Sequence, residues 1–179
     1  MNAYQRTAAL KAAIDLNLFT AIAEGAGTTA ALAARCGASE RGARILCDFL
    51  TTIGFLTKQD GLYSLTLDSS VFLDRRSPAY LGSAVEFLNN STLTAGFSDL
   101  AGAVRKGGTT ISEEGTVAPE NPMWVEFARA MAPVMVMPAK AIASFLGAGV
   151  DRVLDIAAGH GLFGIEIALA TPGAEITAL

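Results

Sequence analysis

Histidine and cysteine are scarce in this chain, which has 1 histidine and 2 cysteines among its 179 residues. Cys36 and Cys47 each fall in a helical pattern rather than in a metal-ligand spacing, and a zinc site would also need histidines besides His160. We therefore predict two free, buried thiols in a reducing compartment. A disulfide and a metal site are not expected.

Positive charge and long apolar runs are scarce as well. The chain has 13 Lys and Arg against 17 Asp and Glu, whereas non-specific affinity for nucleic acid depends on an excess of cations. No stretch approaches the roughly eighteen uninterrupted apolar residues of a membrane span, and the N-terminus is too polar for a signal peptide. We expect a cytoplasmic protein that binds neither nucleic acid nor membrane. With 51% hydrophobic residues, it can bury a large core.

Three helices followed by a hairpin are predicted at the N-terminus. Apolar residues recur through a first, Ala-rich helix from Tyr4 to about Glu24. Thr28 or Thr29 can cap a short second helix that runs to Arg35, and Ser39 caps a third. Asp60-Gly61 is a strong signal for a two-residue hairpin turn. This order is the plan of a winged helix-turn-helix domain.

A winged helix can serve DNA binding or subunit association. As a DNA reader it would present Arg41 and Arg44 on the third helix and Lys58 on the wing, which is little charge for a module that binds phosphates. Packing against a second subunit better suits the apolar residues of the first helix, which are Leu10, Ile14 and Phe19. We favour a homodimer and keep a winged-helix transcriptional regulator as the alternative.

The middle of the chain reads as helical with one polar interruption. Helices are predicted around Tyr80 to Leu88 and from about Thr94 to Val104, and Thr109 to Pro122 reads as a polar loop. Trp124 to Leu146 is helical again, and its two internal prolines are expected to divide it into shorter pieces.

The most informative stretch is Val153-Leu-Asp-Ile-Ala-Ala-Gly-His-Gly-Leu-Phe-Gly164, a short apolar strand that leads through a glycine-rich turn into a helix. The first glycines let the backbone turn sharply and approach a ligand closely, and the third lets the helix pack on the strand. A strand before the glycines and a helix after them favour a cofactor loop over a chance pattern.

The acidic residue at the end of this strand indicates the charge of the ligand. A dinucleotide would place its pyrophosphate near Asp155, and each like-charge pair at about 5 Å costs roughly 3 kcal/mol at an effective dielectric constant near 20. A ligand with an ammonium and a sulfonium group would be attracted instead. S-adenosylmethionine is such a ligand.

The loop Asp155-Ile-Ala-Ala-Gly-His-Gly161 resembles the first motif of class I S-adenosylmethionine-dependent methyltransferases. The winged-helix start, the helical middle and Phe127-Ala-Arg-Ala-Met131 resemble the small-molecule O-methyltransferases that dimerise through N-terminal domains. The resemblance implies a mainly α chain with a winged-helix domain, followed by the β-α-β start of an α/β Rossmann-like domain. The implied divisions are a dimerisation domain (1–76), a helical segment lining the acceptor pocket (77–149) and the beginning of the cofactor-binding domain (150–179).

The resemblance also implies roles for single residues. The expected cofactor-binding residues are Asp155, Ala157, Gly159, His160 and Gly161, with Asp155 supporting the ammonium group of S-adenosylmethionine. The expected acceptor pocket contains Trp124, Phe127, Met131 and Met135, although all four are also explained as packing residues. The acceptor would be a small phenolic or polyketide-like hydroxyl.

Three further expectations concern His160, the two alanines of the loop and the catalytic residues. His160 is expected to pack locally or beside the cofactor rather than to act as a general base. Ala157 and Ala158 stand where similar enzymes often have glycine, and their methyl groups should tighten the loop. The acidic residue that binds the ribose and the catalytic base of similar enzymes would lie beyond Leu179, so we expect no catalytic base here and a catalytically incomplete chain.

Overall fold

A computed structural model describes residues 2–110 and 123–179 of the chain. The chain forms two compact units, Met1–Phe97 and Ser98–Leu179. Residues 77–97 thus group with the first unit and 98–149 with the second, while the finer division at 76 and 149 stays a prediction. From residue 111 onward, the polar loop predicted for Thr109 to Pro122 lies outside the described residues.

The first unit has the predicted order of three helical regions and a hairpin. Its elements are α1 (Ala3–Asp15), α2 (Leu18–Ala23), α3 (Thr29–Cys36), α4 (Glu40–Thr52), β1 (Leu56–Gln59), β2 (Leu62–Leu65), α5 (Leu67–Phe72) and α6 (Gly82–Leu88), and α7 (Ser91–Ser98) follows at its end. Strands β1 and β2 are antiparallel, with Gln59 paired to Leu62. Asp60 and Gly61 both have positive φ, as a tight hairpin turn requires.

Side-chain caps fix where the second and third helical regions begin. Thr28 Oγ1 accepts a hydrogen bond from the Ala31 amide at 3.2 Å at the start of α3. At the start of α4, Ser39 Oγ accepts one from the Gly42 amide at 3.1 Å. Each bond satisfies a backbone donor that has no partner inside the helix. Both predicted caps are therefore present.

The single long helix predicted from Tyr4 to Glu24 is wrong, because the chain breaks between α1 and α2. Asn17 has a φ of 55°, in the left-handed region that asparagine tolerates better than most residues. The apolar stripe continues on both sides of this residue, so periodicity alone does not show the break. The change of direction carries Leu18 and Phe19 into the core, where each is about 1% exposed.

This core also corrects the prediction that Ile14 and Phe19 of the first helix pack against a second subunit. Ile14 is 2% exposed and Phe19 is 1% exposed, and Leu10 packs partly buried against the same cluster. The core of the unit contains Ile14, Leu18, Phe19, Leu32, Leu50, Leu56 and Tyr63. Ile14 and Phe19 therefore stabilise the fold of the unit itself and leave no exposed surface for a partner.

A polar cluster joins the hairpin to α4. The hydroxyl of Tyr63 donates to Asp48 Oδ1 at 2.7 Å, and Lys58 Nζ donates to the same oxygen at 2.7 Å and to the Tyr63 hydroxyl at 3.0 Å. Hydrogen bonds from Lys58 and Tyr63 lower the pKa of Asp48. Arg44 Nη1 lies 3.4 Å from the other Asp48 oxygen. Two of the three cations considered for DNA contact are thus paired with a carboxylate of their own domain.

Both cysteines are free, as predicted, but only Cys47 is fully buried, whereas Cys36 is partly exposed. Burial raises the pKa of Cys47 to about 12. The thiolate is the reactive form of cysteine, so Cys47 should be protected in the folded protein. In a Cys36→Ser variant at pH 8, we expect Cys47 to react with a thiol reagent only as fast as the protein unfolds, and to react completely in denaturant. The rate is measured from the absorbance of the chromophore that the reagent releases on reaction. Rapid stoichiometric labelling of the native protein would show that Cys47 is accessible.

The second unit contains the predicted β-α-β start of an α/β domain. Its elements are α8 (Leu100–Lys106), α9 (Met123–Leu146), a 3-10 turn (Gly147–Gly149), β3 (Arg152–Asp155), α10 (Leu162–Ala170) and β4 (Glu175–Ala178). Strands β3 and β4 are parallel, with Val153 paired to Ile176, and α10 is the crossover between them. The carboxyl ends of both strands therefore lie at one edge of the sheet.

Helix α9 is continuous, so the prediction that prolines divide it is wrong. Pro133 and Pro138 both lie inside its 24 residues. Each proline removes one backbone donor, but the helix continues through both of them, and Ala130, Ala139 and Ala143 are buried along it. By length and composition alone α9 could cross a membrane, with a mean hydropathy of 1.2. A single such helix is weak support for a membrane span.

Candidate cofactor-binding site

The glycine loop connects the end of β3 to the start of α10 through a series of left-handed residues. Ala157, Gly159 and Gly161 have φ values of 57°, 56° and 69°. The Ala158 amide donates to the Leu179 carbonyl at 3.0 Å, and the Gly161 amide donates to the Ala158 carbonyl at 2.8 Å. The loop is therefore folded back on itself and tied to the residue that follows β4.

Two side chains of this stretch satisfy backbone donors at the start of α10. His160 Nδ1 accepts from the Leu162 amide at 3.2 Å, and Asp155 Oδ2 accepts from the Gly164 amide at 3.3 Å. A ring nitrogen that accepts a hydrogen bond carries no proton, so the proton of the neutral His160 ring is on Nε2. Both side chains thus help to build the loop, as anticipated for a local role of His160.

A cavity of about 740 Å³ lies against the loop within the second unit. It is lined by Trp124, Phe127, Ala128, Asp155, Ile156, Ala157, Ala158, Gly159, His160, Phe163 and Leu179. Asp155 has the one carboxylate side chain among these residues, and most of the others are apolar. The cavity thus combines an acidic side chain with a largely apolar wall, which favours a ligand that has both a cationic group and an apolar part.

An aromatic pair forms part of this wall. The rings of Trp124 and Phe127 are 5.9 Å apart with an interplanar angle of 83°, an edge-to-face arrangement. Both residues come from the first turns of α9. They offer a flat, apolar contact surface beside the loop.

The structure brings together most of the residues that the sequence singled out. Asp155, Ala157, Gly159 and His160 line the cavity with Trp124 and Phe127, whereas Gly161, Met131 and Met135 are not among its lining residues. Their roles in binding stay predictions. The sequence did not predict four of the lining residues, which are Ala128, Ile156, Phe163 and Leu179. Of these, Phe163 could have been predicted from its position between the second and third glycines of the loop.

The described residues contain no group of three or more His, Cys, Asp or Glu side chains that could hold a metal ion. In the first unit, a separate apolar groove of about 460 Å³ lies between α1 and α4. It is lined by Gln5, Ala9, Gly42, Ile45, Leu46 and Phe49. Ile45 is 51% exposed there, so this surface offers apolar contact area to a partner.

The left-handed conformation of Ala157 predicts a stabilising substitution. A non-glycine residue in this region costs roughly 1–2 kcal/mol, so Ala157→Gly should raise the free energy of unfolding by about 0.5–1 kcal/mol despite the greater freedom of the unfolded chain. Trp124 is the single tryptophan of the chain, so its fluorescence reports urea unfolding of this unit. Ala158→Gly is the control, because Ala158 is absent from the positive-φ residues, and it should lose stability. Equal destabilisation by both variants would refute the assignment of strain to Ala157.

Comparison with known proteins agrees with this architecture. Residues 1–75 match a family model described as the O-methyltransferase dimerisation domain. The chain is 30% identical over 172 residues to 3-hydroxy-5-methyl-1-naphthoate 3-O-methyltransferase of Streptomyces sahachiroi, covering 90% of this chain and 48% of that enzyme. A crystal structure of a candidate O-methyltransferase from Nostoc punctiforme is 55% identical with a TM-score of 0.91, covering 99% of this chain and 54% of that one.

The same fold occurs in human N-acetylserotonin methyltransferase, solved in complex with S-adenosylmethionine. The identity is 24% and the TM-score 0.78, over 99% of this chain and 56% of that one. The chain therefore spans about half the length of the relatives that it matches. Residues 1–75 thus carry an O-methyltransferase dimerisation domain, and along nearly its whole length the chain resembles proteins described as O-methyltransferases.

Proposed function

We propose that the protein is an S-adenosylmethionine-dependent O-methyltransferase and that the cavity of the second unit receives the methionine half of the cofactor. The observation that carries the proposal is Asp155, a carboxylate at the end of β3 that lines a largely apolar cavity beside a glycine loop. Its charge complements the ammonium and the sulfonium of S-adenosylmethionine and opposes a pyrophosphate. The two curated relatives that match the chain are both named as O-methyltransferases, which supports the same function.

The proposed contribution of this chain to the reaction is positioning. When bound, S-adenosylmethionine supplies an activated methyl group. Asp155 would hold the ammonium group, and the backbone of Ala157 and Gly159 would contact the methionine half from the loop. His160 Nδ1 is already engaged by the Leu162 amide, so this nitrogen is not a proton acceptor for the substrate. We assign no catalytic base to the chain.

The proposed acceptor is a small phenolic or polyketide-like hydroxyl compound. The edge-to-face pair of Trp124 and Phe127 suits a flat ring, and the Streptomyces relative is named for methylation of a hydroxynaphthoate. Met131 and Met135 follow Phe127 at intervals of four residues on α9, so the three share one helix face. We therefore keep both methionines as a proposed extension of the acceptor pocket.

We also propose a cytoplasmic homodimer. The match of residues 1–75 to a dimerisation domain supports self-association, and the exposed apolar groove between α1 and α4 is our candidate for part of the interface. The two free thiols, Cys36 and Cys47, suit a reducing compartment. The DNA-binding alternative gains no support, since Arg44 and Lys58 are both paired with Asp48.

Calorimetric titration of the chain with S-adenosylmethionine, S-adenosylhomocysteine and NAD tests the proposed cofactor. We expect the first two to bind and NAD not to bind, because only NAD brings a pyrophosphate to Asp155. A preference for NAD would overturn the proposal. Salt-sensitive, sequence-dependent binding to DNA in a gel shift would instead favour the regulator.

A further inference from the structure

The buried glycine inside α10 lies at an unusually close contact between the helix and the sheet. A Cβ atom added at Gly164 would lie 2.9 Å from Ile176 Cγ2 and 3.5 Å from Asp155 Oδ2. The first distance is shorter than real Cβ contacts allow. Gly164 is absent from the positive-φ residues, so space rather than backbone conformation is what excludes a side chain at this position.

The same close approach brings a backbone donor to the cavity carboxylate. Gly164 is the third residue of α10, and its amide is one of the donors that the helix leaves without an internal partner. It donates to Asp155 Oδ2 at 3.3 Å. One carboxylate oxygen is therefore fixed to the helix, and the side chain is held where it lines the cavity.

We infer that Gly164 is a positioning residue: by packing directly on Ile176 it brings its amide to Asp155 and so holds the carboxylate in place for a cationic group in the cavity. The inference rests on the proposed function for the identity of that group, the ammonium of the cofactor. A methyl group at position 164 would push α10 away from β4 and lengthen the hydrogen bond. Asp155 would then adopt several rotamers, and only part of the population could contact the ligand.

Binding of two ligands by Gly164→Ala tests the inference. S-adenosylhomocysteine carries the ammonium group, whereas 5′-methylthioadenosine lacks the amino-acid part of the molecule. We expect the variant to bind S-adenosylhomocysteine about tenfold more weakly and 5′-methylthioadenosine within about twofold of the parent. An equal loss for both ligands would indicate a general disturbance of the cavity and overturn the inference.

Relief of the steric contact provides a matched rescue. Ile176→Ala removes the Cγ2 atom that a Cβ at position 164 would meet, so the double variant Gly164→Ala/Ile176→Ala should recover the S-adenosylhomocysteine affinity of Ile176→Ala alone. A double variant that binds as weakly as Gly164→Ala would contradict the proposed contact.

Hydrogen exchange separates this inference from the proposed function, since it needs no ligand. We expect the Gly164 amide to exchange roughly tenfold faster in Asp155→Ala, which loses the acceptor, and at nearly the parent rate in Asp155→Asn, which keeps one. If the parent chain binds neither ligand, the proposed function is wrong. Hydrogen exchange then still shows whether the Gly164 amide is bonded to Asp155. Unchanged exchange in Asp155→Ala would overturn the positioning role.

Discussion

Asp155→Asn should bind S-adenosylmethionine about 10- to 100-fold more weakly than the parent chain. Asparagine keeps the shape of the side chain and an oxygen for the Gly164 amide, so the substitution removes mainly the charge. A unit charge pair at about 5 Å contributes roughly 3 kcal/mol at an effective dielectric constant near 20, and solvent at the cavity mouth reduces this value. Calorimetric titration measures the change in the dissociation constant.

Glu166→Gln is the matched control for this loss. Glu166 lies on α10, as Gly164 does, but it is not among the residues that line the cavity. The substitution removes the same charge as Asp155→Asn. We expect its affinity to stay within about twofold of the parent, since solvent and salt screen a charge outside the cavity. Equal losses in Asp155→Asn and Glu166→Gln would show that net charge, rather than a contact with the ammonium, controls binding.

Ile45→Glu should convert the proposed homodimer into a monomer at micromolar concentration. Ile45 lines the apolar groove between α1 and α4 and is 51% exposed in the single chain. A carboxylate there costs little in the monomer, because water reaches it. In a dimer that covers the groove, the same charge would be buried without a partner, which costs several kcal/mol. Sedimentation velocity gives the mass of each variant directly.

Leu62→Glu provides the comparison for the dimer test. Leu62 is 49% exposed, nearly as much as Ile45, but it lies on the hairpin and is not among the residues of the groove. We expect this variant to sediment as the parent does. If Ile45→Glu stays dimeric, the groove is not part of the interface. If the parent chain is monomeric, the proposed homodimer is wrong.

The local parts of the fold could be predicted because their causes are short-range. Thr28 and Ser39 each cap a helix through an amide three residues away, and Asp60-Gly61 forms its turn within the hairpin. The β-α-β order around the glycine loop was predictable for the same reason, since strand, turn and helix signals follow one another directly. The resemblance to O-methyltransferases, inferred from that loop, is confirmed by the comparisons.

The parts that the sequence did not predict depend on contacts between distant residues. Asn17 breaks the first helix so that Phe19 can enter the core, although the apolar pattern runs on unchanged. Helix α9 continues through Pro133 and Pro138, whose usual effect is to end a helix. The contact between Gly164 and Ile176 joins residues from α10 and β4, so no local pattern indicates that Asp155 is held by that helix.

A crystal structure of the chain soaked with S-adenosylhomocysteine tests the central claim most directly. We predict ligand density in the cavity beside the glycine loop, with the amino group of the ligand within hydrogen-bond distance of the Asp155 carboxylate and the chain of the methionine half along Ala157 and Gly159. Density that places the adenine ring or the ligand carboxylate against Asp155, or that lies outside this cavity, would contradict the assignment of Asp155 as the partner of the ammonium group.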